Sequence, residues 1–300
     1  MNNQIIINAD DYGLTNQISS DILNLLETSE LNSTSVLVNG YGDDKNLKNL
    51  SYLKENINIK LHLNLIESKS LYFEKKDSIY FLTNDNGVMD NDFFNLSLKK
   101  LFLNKKNFLQ LKYEIGKEIN LQIEKFKDFF NLDYLSIDTH QHTHNIPYIF
   151  KIIQDLKPKY KIKNIRITNE KINFSDILKL NTSLINNKSI FKKLLFKILN
   201  KINHSYKDIN SNYSFGLCES FRPENKLLFK QLNKFLIENF SLIEIFCHPG
   251  KALKSEFIKK NIKNNLIDFY TSKERDEEKE FLKSKKLKNF LSNISSLNRR

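Results

Sequence analysis

Short apolar runs alternate along the chain with longer stretches in which apolar residues recur every three or four positions. The first run, Gln4-Ile5-Ile6-Ile7, leads into Asn8-Ala9-Asp10-Asp11-Tyr12-Gly13, and a helical pattern covers 15–26. A continuous apolar run fits a strand buried on both faces, and Gly13 lets the chain turn sharply after it. Thr34-Ser35-Val36-Leu37-Val38-Asn39 is a β-branched run ending at Gly40, and 59–64 alternates as a strand does. Further strands are expected over 134–138, 164–168 and 242–247. Helical spacing predicts helices over 45–55, 105–130, 147–156, 177–202 with a break near 182–187, and 226–238. Pro147 suits the first turn of its helix. The tail, 273–291, reads as one charged amphipathic helix.

Strand alternating with helix over the whole length argues for a parallel α/β fold. No Gly/Ser/Pro-rich linker divides it, so a single domain over 1–300 is expected. The fold favoured is a distorted (β/α) barrel, TIM-like, with mostly parallel strands, and an open doubly wound sheet is the alternative. An irregular insertion is expected over 67–91, with Asn84-Asp85-Asn86-Gly87 as its turn signal. No Gly-x-Gly-x-x-Gly follows the first strand and no Walker-type loop occurs, which counts against dinucleotide and P-loop chemistry.

Composition changes this picture little. The formal charge of +12 comes from a lysine bias spread along a chain also rich in Asn and Ile. Its densest basic stretches, 188–207 and 279–288, also carry helix-spaced apolar residues and read as solvated helix faces. Nucleic acid is therefore not an expected partner. No apolar run reaches the roughly 18 residues of a membrane span, and the N-terminus lacks the basic and apolar regions of a signal peptide. No membrane association and a cytoplasmic location are the resulting expectations. Cys218 and Cys247 make no disulfide framework.

The histidines carry the chemistry. Of the six, His62, His140, His142, His144 and His248 lie at or just past the C-terminal end of an expected strand, while His204 sits on a Lys-rich stretch. In a parallel barrel those ends share one face, where Asp10 and Asp11 also lie. Singly, each residue has a plain explanation: the aspartates could cap the next helix, Arg166 could form an ion pair, and Glu244 could face solvent. Together they point to a metal-dependent hydrolytic site. A carboxylate with two imidazoles suits a divalent ion and leaves room for water and substrate. Neighbouring Asp10 and Asp11 need not point the same way, so one can bind metal while the other serves as base.

These motifs resemble the YdjC-like carbohydrate deacetylases, which include chitooligosaccharide deacetylases. The resemblance rests on Asn8 to Gly13, the Ser33 to Gly40 run, Leu61-His62-Leu63-Asn64-Leu65, Asp138-Thr139-His140-Gln141-His142-Thr143-His144, Ile165-Arg166, and Glu244-Ile245-Phe246-Cys247-His248-Pro249-Gly250. The 270–282 tail, with Arg275, resembles the family's C-terminal helix. The resemblance implies a distorted barrel, often a homodimer, with one divalent metal ion, Mg2+ or Zn2+. It makes Asp11, His62 and His140 the metal ligands, Asp10 the general base and His248 the general acid. His142, His144, Arg166 and Glu244 are then substrate-binding or supporting residues. The implied reaction removes an N-acetyl group from an acetylated amino sugar or oligosaccharide, releasing acetate. The helical insertion over 171–211 and the 67–91 segment depart from the family pattern and leave the sugar open. Two alternatives remain: a barrel metallohydrolase of another C–N or phosphoester bond, and a non-enzymatic basic protein that binds polyanions.

Overall fold

The computed structural model describes residues 4–73, 80–170, 187–205, 212–217, 242–258, 260 and 262–297. Among them seven strands form one sheet: β1 (Gln4–Tyr12), β2 (Ser33–Val36), β3 (Asn58–Leu63), β4 (Leu135–Thr139), β5 (Ile162–Ile165), β6 (Asn212–Phe215) and β7 (Leu242–Cys247). Their order is β5-β4-β3-β2-β1-β7-β6, and every pairing is parallel. The sheet is curled, and the architecture is the distorted α/β barrel expected from the strand–helix alternation.

The helices are α1 (Asn16–Thr28), α2 (Asp44–Ser51), α3 (Phe93–Phe102), α4 (Lys105–Phe130), α5 (Pro147–Tyr160), α6 (Asn187–Asn203), α7 (Asn264–Tyr270), α8 (Lys273–Leu282) and α9 (Lys285–Leu297). Their apolar stripes meet the outward positions of the strands. Ile7, Ala9, Val36, Leu61, Ile137, Ile243 and Ile245 are all buried in the resulting core. The opposite positions are polar apart from the buried Ile6 and Phe246. Parallel register pairs Asn8 with Ser33, Ser35 with Lys60, and His62 with Asp138. The period of two thus separates a greasy outer face from a polar inner one.

Several boundaries depart from the sequence expectation. The tail is two helices, because Ser284 turns the chain between α8 and α9, its amide bonded to the Phe281 carbonyl. Helices α3 and α7 and strand β6 escape the periodicity argument because they are short and lie beside irregular segments. The Asn84–Gly87 turn forms: the Gly87 amide donates to the Asn84 carbonyl, Gly87 has φ +72°, and antiparallel bridges join Lys69 to Val88 and Thr83 to Met89. Residues 74–79 of the first insertion, 171–186 and 206–211 of the second, and the helix expected over 226–238 lie outside the described residues, as does Cys218.

Candidate metal centre at the C-terminal ends of the strands

Strand β1 ends in a bulge. Its register against β2 shifts between Ala9 and Tyr12, and Asp11 adopts φ +73°. A bulge of this kind re-aims side chains. It lets consecutive carboxylates reach different partners. Gly13 (φ +91°) then turns the chain so closely against β2 that a Cβ there would lie 2.2 Å from the Leu37 carbonyl oxygen.

Asp11 is fully buried, and its Oδ1 has no hydrogen-bond partner. His140 Nδ1 lies 3.2 Å from that oxygen and His62 Nε2 3.6 Å. Arg275 donates to the other oxygen, Oδ2, at 2.9 Å. Burial works against ionising Asp11, but His140 and Arg275 outweigh it and hold its carboxyl well below the usual carboxylate range. Behind His62, Asp138 Oδ1 accepts a hydrogen bond from Nδ1 at 2.5 Å, which leaves Nε2 facing Asp11 as the ligating nitrogen. Asp138 is itself fixed by Ser35, whose hydroxyl donates at 2.6 Å. On the far side of His140, Nε2 lies 3.0 Å from Glu67 Oε1 and 2.9 Å from the Tyr270 hydroxyl. Burial lowers the proton affinity of His140, but Asp11 and Glu67 prevail and raise its pKa to about 10.

An orphaned, buried carboxylate oxygen facing two imidazole nitrogens fits a divalent cation, and the N/O donor set suits Zn2+ or a harder ion. Asp10, His62 and Asp138 also lie close enough to share an ion. There, however, a guanidinium already supplies the positive charge.

That guanidinium is Arg166. It donates to both oxygens of Asp10 at 2.8 Å and, through Nε, to Glu244 at 2.8 Å, and it forms an ion pair with Asp138 at 2.7 Å. Glu244 is also bound by Lys60 at 2.8 Å. Asp10 receives a further bond from Asn8 Nδ2 at 2.6 Å. Burial raises the Asp10 pKa, yet the Arg166 clamp more than reverses this and holds the carboxyl well below its ordinary value. Arg166 and Glu244 stand behind Asp10, bordering a cavity at the N-terminal ends of the strands, where His204 also lies.

A second cavity, of about 620 Å³, opens over the metal-ligand side. Asp10, His62, His140, His142 and His248 border it, with apolar walls from Phe93, Phe94, Phe196, Leu217 and Phe269 and a cation at Lys192. His248 Nε2 lies 4.0 Å from Asp10 Oδ2, and its side chain keeps 26% exposure. Burial pushes its pKa down to about 4. His142 and His144 separate clearly. His144 has both ring nitrogens engaged, with Thr139 Oγ1 at 2.8 Å and Asn145 Nδ2 at 3.0 Å, and burial holds its pKa down to about 3. His142 is packed against Phe196 and Phe246 at the cavity wall, where burial keeps it neutral. Positive φ at Gln141 and His142 turns the chain so that alternate histidines take these different places.

Sequence reasoning did not assign Asp138, Glu67, Tyr270 or Asn8 to the site. Asp138 carried a signal, since it sits two residues before His140 and on the same strand face as His62. Glu67 and Tyr270 carried none, because only the tertiary fold joins them.

The fold and motifs have known counterparts. The crystal structure of a "putative cellobiose-phosphate cleavage protein" from Enterococcus faecalis V583 superposes with a TM-score of 0.66 at 18% identity, covering 98% of this chain and 95% of that one. At that identity the likeness speaks to the fold. The family model for YdjC-like proteins matches residues 4–293. With nearly its whole length matched, and with the aspartates and histidines of the motifs gathered at one end of the barrel, the chain belongs to the YdjC-like family.

Proposed function

We propose that this protein is a metal-dependent hydrolase that removes the N-acetyl group of an acetylated amino sugar or oligosaccharide, acting as one domain over 1–300. The observation that carries the reading is the unpartnered Asp11 Oδ1, faced by His62 Nε2 and His140 Nδ1 beside an apolar-walled cavity. Asp11, His62 and His140 hold the ion. When bound, such an ion acidifies a water and polarises an amide carbonyl.

The chain's own residues do the rest. Asp10 is ionised at any working pH and faces the cavity, so it is the acceptor for the proton of the attacking water. Arg166 fixes its orientation, at the cost of lower basicity. His248, 4.0 Å from Asp10 and neutral at rest, takes over the proton that Asp10 removes from the water and passes it to the leaving amine. Phe93, Phe94, Phe196 and Phe269 offer apolar faces to sugar rings, and His142 lies at the same wall. Bond cleavage yields acetate and a free amine.

The test is acetate release by metal-loaded protein from acetylated mono- and oligosaccharides, with phosphate release from sugar phosphates measured in parallel. Asp10→Asn should keep its metal and lose about 10²–10⁴-fold in turnover, the range for a general base. A fully active Asp10→Asn protein refutes the assignment of the base. Phosphate release without acetate release refutes the deacetylase reading in favour of a phosphoester hydrolase.

A further inference from the structure

Glu67 is 4% exposed, and it begins the irregular segment after β3. A buried carboxylate without a cation is costly unless its oxygens are satisfied. Two phenols reach it from distant parts of the chain. Tyr270, at the end of α7, hydrogen-bonds Oε1, and Tyr41, in the loop after β2, donates to Oε2 at 3.1 Å. The third partner is the His140 ring, whose Nε2 lies 3.0 Å from Oε1 and 2.9 Å from the Tyr270 oxygen. The Tyr270 hydroxyl has one proton and gives it to Glu67, so its oxygen can only accept from His140. Both groups facing Nε2 therefore accept, and Nε2 carries the proton. Nδ1 is the nitrogen left facing Asp11, and it is the one that offers a lone pair once an ion takes the place of its proton.

We infer that Glu67 and Tyr270 form a paired acceptor that fixes the tautomer, orientation and basicity of His140 as a metal ligand. This rests on the reading that Asp11, His62 and His140 hold a divalent ion. Asp138 does the same for His62 from the opposite ring nitrogen. One histidine thus ligates through Nε2 and the other through Nδ1, each backed by a carboxylate. Glu67 and Tyr270 are positioning residues, since they touch His140 and do not border the cavity. The segment after β3 and the C-terminal end of α7 are thereby tied to the metal centre through one ring.

The partners of a histidine metal ligand typically contribute about 10–100-fold in metal affinity. The experiment titrates Co2+ into metal-free wild type, Glu67→Gln and Tyr270→Phe, reading both affinity and the visible absorption band of the ion. Circular dichroism and thermal melts report folding. Glu67→Gln should bind Co2+ about 10–100-fold more weakly, with a shifted band at saturation. Tyr270→Phe should weaken binding in the same direction by a smaller factor. A purely structural role would lower the melting temperature and leave the band and affinity of the folded protein unchanged. A folded Glu67→Gln protein with wild-type affinity and band overturns the inference. Should Glu67→Gln not fold, Tyr270→Phe decides on the same two readouts. Wild type that binds no Co2+, with no band, overturns the metal reading itself, and so the two failures are distinguishable.

Discussion

Replacing Arg166 with methionine isolates what its charge does. The side chain is 1% exposed and its guanidinium meets Asp10, Asp138 and Glu244 at 2.7–2.8 Å. Methionine keeps much of the length and packing against Phe246, over whose ring the guanidinium lies at 4.8 Å. Glu244 retains Lys60, so the loss falls on Asp10 and Asp138. Breaking a buried pair from one side costs about 3–5 kcal/mol, and little screening reduces it at this burial. The dependence on pH should also reverse. In the wild type both carboxyls have folded pKa values below their unfolded value. Their contribution is therefore present above about pH 3.8 and is lost as pH falls through the folded values. Burial is the largest influence on each, and it raises the pKa. With Arg166 gone, burial is opposed only by the weaker influences of His62 and, for Asp10, His248, so the folded values should rise past the unfolded one and the destabilisation should grow with pH. At about 1.4 kcal/mol per unit, a penalty of this size spread over two carboxyls should shrink between pH 7 and pH 5. Urea unfolding of both proteins at pH 5, 6 and 7, with a chelator present, measures the difference. A loss under about 1 kcal/mol with the wild-type pH slope would show that the guanidinium does not hold these two carboxyls in the fold.

Other expectations follow from single residues. Gly13→Ala places a Cβ 2.2 Å from the Leu37 carbonyl oxygen at φ +91° and should cost about 2–4 kcal/mol in a denaturation experiment. Gly116→Ala in α4 meets only Ile152 at 3.9 Å and should instead stabilise by about 0.5–1 kcal/mol. His144 has a folded pKa of about 3 against an ordinary 6.5. Below pH 6.5 the unfolded chain takes up a proton that the folded one refuses, so stability falls with pH. The stability difference between wild type and His144→Gln should therefore shrink by about 2 kcal/mol from pH 7 to pH 5. A difference independent of pH would show that His144 titrates in the fold as it does in the unfolded chain.

The architecture was legible because strand and helix periods alternate cleanly, as in β1, β3 and α4. The gathering of Asp11, His62 and His140 was also legible, since parallel strands bring their C-terminal ends together whatever separates them in sequence. What periodicity could not supply was the support behind each side chain. Arg166 reads as a lone cation next to a strand, and only the curled sheet shows it holding Asp10, Asp138 and Glu244 at once. Glu67 and Tyr270 are 203 residues apart and meet at one imidazole. The split between Asp10 and Asp11 depends on a bulge with φ +73° at Asp11, a conformation that no sequence pattern here announces. The apolar spacing of the tail runs through Ser284 and so predicts one helix, yet the backbone turns there.

The proposed function requires one divalent ion on Asp11, His62 and His140. Crystals grown with zinc, with anomalous data collected on either side of the zinc absorption edge, test it most directly. A single strong anomalous peak is expected about 2.0–2.2 Å from Asp11 Oδ1, His62 Nε2 and His140 Nδ1, and no such peak in Asp11→Asn. A peak on Asp10 and Asp138 instead, or no peak in wild type at saturating zinc, would contradict it.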